Sequence, residues 1–185
     1  MNFPTVTIFM DGFKQGVEYW NAEKGDTVEV LGWDGTDGAF TGGFEANQDA
    51  KTVAKNILDQ GVDVIMPVGG PIYQSALQAI KESGRDVVLL GVDADLFETD
   101  ESTQDFVLTS ILKMMDISTY EAVMSSANGE FDPTPYVGTL ENEGVGIAPF
   151  HNFEGKVDPA LAAEVDAPRQ DTIDGKVPVK SYLNQ

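Results

Sequence analysis

Cysteine is absent from the 185-residue chain. That excludes disulfides, zinc–thiolate sites and thiol nucleophiles. Histidine is nearly absent: His151 is the only one, in His-Asn-Phe on an expected loop. One imidazole without a serine or cysteine elbow does not make a catalytic triad. Cations are scarce as well. Eleven Lys and Arg stand against 31 Asp and Glu, a formal net charge of −20. Such a surface argues against nucleic acid, whose phosphates need neutralising. It also disfavours anionic membranes and reads as a surface built for solubility. No apolar run is long enough to span a bilayer. Met1-Asn2-Phe3-Pro4 lacks the charged and apolar regions of a signal peptide. The expectation is a cytoplasmic protein, or one whose targeting segment lies outside this chain.

The loops of common enzymes are missing too. No G-x-G-x-x-G follows a strand, and there is no Walker loop or G-x-S-x-G elbow. The run Asp34-Gly35-Thr36-Asp37-Gly38 departs from calcium-loop spacing, and no bidentate Glu follows where one is needed. Phospho-receiver domains need a pair of acids after their first strand, and Trp33-Asp34-Gly35 offers one. Neither a metal nor a cofactor is expected.

What is present is a regular α/β rhythm. The composition is 42% hydrophobic, enough for a core. Phe9, Phe13, Val17 and Trp20 recur at helical spacing, and Gly25 after Lys24 marks a stop. Val28–Trp33 reads as a strand, followed by a Gly/Asp/Thr loop to Glu45. Ala50, Val53, Ala54, Ile57 and Leu58 share one face of an expected helix over 47–60, closed by Gly61. Val62–Val68 and Asp86–Val92 are apolar on both faces, as strands of a helix-covered parallel sheet are. Between them, Pro71 opens a helix that ends at Gly84. Phe106–Thr109 reads as a fourth strand feeding a helix over 111–128, with Ile111, Met114, Met115 and Ala122 on one face. Tyr136–Leu140 and Val145–Pro149 read as two short strands, and 158–165 as helix-prone. Residues 28–128 therefore predict a doubly wound, Rossmann-like parallel layer.

In such sheets ligands collect beyond the C-terminal strand ends. The first end leads to Phe40, the second is Gly69-Gly70, the third carries Asp93 and Asp95, and the fourth ends at Ser110, one helical turn before Lys113. An aromatic, bare backbone, carboxylates and an amine suit a neutral polar ligand with a flat ring and hydroxyls. Each has a plainer reading: Phe40 packing under its own loop, a tight turn at the glycines, solvated aspartates, and Lys113 paired with Asp116 or Asp93.

Six stretches in order resemble the Bmp (basic membrane protein) family of substrate-binding lipoproteins. They are FMDGFKQGVEYWN, GAFTGGFEANQDAKTVAKNILDQGVDVIMPVGGP, LLGVDADLFE, FVLTSILKMMDISTYEAV, GVGIAPFHNF and IDGKVPV. The resemblance implies a periplasmic-binding-protein-like fold of two α/β lobes with a cleft between them. Here residues 28–128 would be one complete lobe, with 1–27 and 129–185 belonging to part of the other. It implies a non-enzymatic, extracytoplasmic component of an ABC importer, held on the outer side of the membrane by a lipid anchor outside this chain. Its partners would be a purine nucleoside and an ABC permease. Phe40 would stack on the base, Asp93 would accept hydrogen bonds from the ribose hydroxyls with Lys113 supporting the same end, and Gly69 and Gly70 would let the ligand approach the backbone. The sequence departs from the family pattern at Ile72-Tyr73-Gln74, where further glycines are usual, and at Ala94 and Leu96, which replace Ser and Gln. The alternatives are a sugar- or nucleotide-processing enzyme using Asp93 and Lys113 as acid and base, and an intracellular sensor domain of the same fold.

Overall fold

Proline at the first turn of a helix loses nothing by lacking an N–H. Pro4 opens α1 (Pro4–Lys24) in this way, and Gly25 closes it in the left-handed conformation at φ 68°. The computed structural model describes residues 1–181. Their contacts divide into two units, Met1–Leu89 with 178–181, and Leu90–Val177. That partition groups α1 with residues up to Leu89, whereas the sequence reading drew lobe boundaries at 27/28 and 128/129.

The first unit is organised by two helices. Asn47 caps α2 (Gln48–Leu58) by accepting the Ala50 N–H at 2.9 Å. Its carbonyl oxygen also accepts the Ser75 hydroxyl at 3.1 Å, tying α2 to α3 (Ile72–Ser83). The two helices pack through Ala50, Ala54, Leu58, Ala76 and Ile80, all buried. Small side chains at the contact let the axes approach closely. The Arg85 guanidinium donates to the Leu58 and Val62 carbonyls, the second at 2.8 Å. The Leu58 carbonyl, at the C-terminal end of α2, also accepts the Gly61 N–H at 3.0 Å.

Two expected strands of this unit are shorter or absent. The expected strand Val28–Trp33 does not form; its residues make only an isolated bridge, Trp33 to Gly38. The cause is local. The Asn21 side chain accepts the Val28 N–H at 2.9 Å and donates to its carbonyl at 2.8 Å, so both groups are engaged outside any ladder. The expected Val62–Val68 strand shrinks to β1 (Val64–Ile65). Pro67 follows closely and has no N–H to give a ladder. β1 pairs in parallel with β2 (Val88–Asp93) through Val64–Val88 and Ile65–Leu89.

The second unit holds a short helix, α4 (Leu96–Thr99), then β3 (Val107–Lys113), α5 (Met115–Ala127), β4 (Val145–Ile147) and α6 (Pro159–Ile173). Three sequence expectations are corrected here. The fourth strand does not stop at Thr109; it runs to Lys113, so Ile111 lies on a strand and Lys113 ends it rather than following by a helical turn. The reason is a distant partner: β4 pairs antiparallel along Ile111–Ile147, Leu112–Gly146 and Lys113–Val145. The helix accordingly starts at Met115, and none of its residues is buried. The expected strand Tyr136–Leu140 is replaced by a turn. The Asn142 carboxamide accepts the Thr139 N–H at 2.7 Å and donates to the Val137 carbonyl at 2.9 Å. The strand order is β1-β2-β3-β4. The chain is thus α/β, with a parallel pair at one end of the sheet and an antiparallel strand at the other.

Buried Ser110 is the pin of the second unit. Its Oγ accepts the Leu96 N–H at 3.1 Å, which holds α4 against β3. Thr103, also buried, donates to the Leu96 and Asp100 carbonyls at 2.8 and 2.7 Å. Among the described residues no helix is long and apolar enough to cross a membrane.

Candidate functional site

In the first unit the loop after Trp33 is held from within. Asp34 Oδ1 accepts the N–H groups of Asp37 and Thr36, both at 2.7 Å. Those backbone donors, Asp37 first, hold the Asp34 carboxyl below its usual range. The Asp-Gly-Thr-Asp-Gly run is therefore a turn that caps itself. Among the described residues no group of three or more His, Asp or Glu side chains is placed to hold a metal ion. The buried Trp33 indole donates to Asp11 Oδ1 at 2.8 Å, anchoring the loop to α1.

Phe40 is half-buried and meets Trp33 edge-on, ring centroids 6.1 Å apart. It also lines a cavity of about 120 Å³ together with Val6, Leu31, Ala54, Ile65 and Ile72. Four residues on, Phe44 is 39% exposed. Its ring lies against Gly69, where a Cβ would come within 2.7 Å of it. Gly69 has φ 130° and Gly70 φ 51°, backbone that L side chains seldom adopt. The glycine pair thus has a double cause, the turn and the aromatic lying on it. Phe3 stacks on the same Phe44 ring, 6.4 Å and 25° apart. Sequence reasoning singled out Phe40 and passed over Phe44. The usable signal was Gly42-Gly43 immediately before it.

In the second unit the structure brings Asp93 and Lys113 together. The Lys113 ammonium lies 2.9 Å from Asp93 Oδ1, with side chains 44% and 39% exposed. Oδ1 itself is buried and has no aligned hydrogen bond among the described residues. The two observations are compatible: the ammonium is close enough for electrostatic attraction but badly angled for a hydrogen bond. Asp93 adopts φ 71°, rare for a residue with a Cβ. Such backbone strain gathers at functional positions.

Asp95 is placed differently. Its Oδ1 accepts the Phe97 N–H at 3.0 Å and caps α4. Its Oδ2 lies 2.7 Å from Nε2 of His151. Both oxygens are engaged in holding the turn. His151, dismissed in the sequence as a lone loop histidine, is the partner that reasoning missed. Its only sequence signal was being the sole imidazole.

A sequence profile described as ABC transporter substrate-binding protein PnrA-like, of the Bmp family, matches residues 1–166. An uncharacterized lipoprotein of Pyrococcus abyssi is 26% identical over 150 residues, 79% of this chain and 35% of its own length. The chain therefore spans about a third of the curated relatives it matches. Among solved structures, an ABC transporter solute-binding protein of Aeropyrum pernix superposes at TM-score 0.77 and 24% identity, over 95% of this chain and 54% of the other. One from Conexibacter woesei superposes at 0.70 and 20% identity, over 97% and 54%. At these identities the two structures speak for a common fold.

Proposed function

The chain belongs to the Bmp family of PnrA-like ABC transporter substrate-binding proteins, and on that basis we propose that it is part of an extracytoplasmic receptor that binds a purine nucleoside for an ABC importer. Its family and its structural neighbours are solute-binding proteins. The observation that carries the reading is the Asp93–Lys113 pair. A half-exposed carboxylate in left-handed backbone, held by one ammonium at 2.9 Å, retains lone pairs for the vicinal hydroxyls of a ribose. Lys113 offsets the charge of Asp93.

The family resemblance assigns an aromatic of the Phe40–Phe44 loop to the base. Phe44 is 39% exposed over bare backbone at Gly69-Gly70, with Phe3 stacked on it at 6.4 Å, whereas Phe40 is half-buried against Trp33 and lines a cavity. Asp95 is assigned to shaping the β2–α4 turn, since the Phe97 N–H and His151 occupy its oxygens. The relatives' description as lipoproteins supports tethering to the outer face of the membrane and a permease as partner.

The test is isothermal titration with adenosine, guanosine, inosine and ribose. One nucleoside is expected to give heat, and ribose alone little. Phe44→Ala is expected to weaken that binding by about 1–3 kcal/mol, the usual worth of one base–aromatic stack. Asp93→Asn is expected to weaken it further than Asp95→Asn. No heat with any nucleoside would sink the reading. An unchanged affinity in Phe44→Ala with a loss in Phe40→Ala would return the stacking role to Phe40.

A further inference from the structure

His151 is gripped on two sides. Its Nε2 lies 2.7 Å from Asp95 Oδ2, and its ring lies flat on Phe97, centroids 4.0 Å and planes 7° apart. The histidine and aspartate side chains are 17% and 18% exposed. The histidine backbone sits at φ 44°, another left-handed residue that carries a Cβ. Asp95, so held, passes the restraint on: its other oxygen takes the Phe97 N–H and fixes the start of α4. Two residues upstream is Asp93, whose own backbone is left-handed. The segment around His151 is anchored independently. The Ala148 N–H donates to the Ser110 carbonyl at 2.8 Å, and the Asn152 carboxamide to the Gln104 carbonyl at 3.3 Å.

We infer that His151 is a positioning residue for Asp93, acting through Asp95, and that its protonation sets how firmly the turn between β2 and α4 is held. The inference rests on the reading of Asp93 as a ligand contact. The charged group facing the imidazole is Asp95. Other charges on the elements around it are Glu98 on α4, Asp100, Glu101 and Asp105 on the passage from α4 to β3 that Asn152 touches at Gln104, and Lys113 at the end of β3, paired with Asp93. Nearby on its own segment are Glu154 and Lys156, whose ammonium lies 4.4 Å from the Phe153 ring centroid.

The direction follows from the chemistry. A protonated imidazole gives Asp95 a charge-assisted hydrogen bond, stronger than a neutral one. When the imidazole gives up its proton that charge is lost and the grip loosens.

Two measurements test it, on wild type and on His151→Phe, which retains a flat ring for Phe97 and has no nitrogen for Asp95. The first needs no ligand: the Phe97 amide resonance is followed against pH by NMR. In wild type it is expected to follow the protonation of the His151 ring, read from the ring's own proton resonances in the same samples, and in His151→Phe to lack that step. No movement in wild type, or the same movement in the variant, overturns the inference. If His151→Phe fails to fold, His151→Gln serves, keeping a donor that does not titrate. The second is affinity for adenosine, guanosine and inosine at pH 5.5 and pH 8. Wild type is expected to bind about threefold or more tightly at the lower pH, and the variant equally at both. An equal pH ratio in the two proteins overturns the coupling to Asp93. No binding by either protein at either pH counts against the nucleoside reading, and the amide titration still decides the role of His151.

Discussion

A Cβ placed on Gly91 would lie 2.2 Å from Ser110 Oγ and 2.9 Å from Leu96 Cγ. No rotation relieves this, because Ser110 Oγ is already committed to the Leu96 N–H. Gly91→Ala must displace either the serine or the start of α4, and overpacking of this kind costs about 1–3 kcal/mol. Urea unfolding is expected to show that loss. A change below about 0.5 kcal/mol, the range of ordinary surface substitutions, would mean that the strands part without resistance. The same fit bears on the candidate site, since Gly91, Asp93, Asp95 and Leu96 belong to one short passage of chain. Its backbone is set by buried Ser110 from one side and by His151 from the other.

At the level of elements, α3 and α5 are opposites. Half of α3 is buried: Ile72, Ser75, Ala76, Leu77, Ala79 and Ile80. In α5 no residue is buried, and Met115, Tyr120, Val123 and Met124 are exposed. Local opening free energies follow such differences in buried apolar contact. Hydrogen exchange is therefore expected to be slowest in α3 and fast throughout α5, and comparable protection of the two would show that something covers α5 in solution. The contrast also explains what could be read beforehand. Helices α2 and α3 announce themselves by apolar spacing, a capping Asn47 and a closing Gly84, all local in sequence. The extension of β3 to Lys113 depends on pairing with Val145–Ile147, which no local pattern around residue 111 encodes. The loss of a strand at Val28 depends on the Asn21 side chain. The candidate site divides the same way. The positions Gly69, Gly70, Asp93, Asp95 and Lys113 followed from strand-end logic, but the role of Asp95 turned on His151, 56 residues away. The left-handed backbone of Asp93 likewise has no sequence signature.

For the molecule as a whole the governing number is −20. Ion pairs such as Lys51–Glu82, Lys55–Asp59 and Lys176–Asp171 add attraction, but exposed pairs are worth only about 0–1 kcal/mol each. The unpaired excess of carboxylates repels, and compaction brings those charges closer together. Raising salt from about 0.01 M to about 0.15 M shortens the Debye length from about 30 Å to about 8 Å. Both effects are screened, and the repulsion is the larger, so Tm is expected to rise with salt. A fall in Tm over that range, measured by circular dichroism, would show that the ion pairs dominate. The scarcity of cations has a practical side as well, and it falls on α5. No Lys or Arg occurs between Lys113 and Lys156. Trypsin has no cleavage point anywhere in that exposed helix or the loop that follows. A tryptic digest would return the stretch as a single intact peptide however often the helix opens, whereas chymotrypsin is offered Tyr120, Phe131 and Tyr136 on the surface.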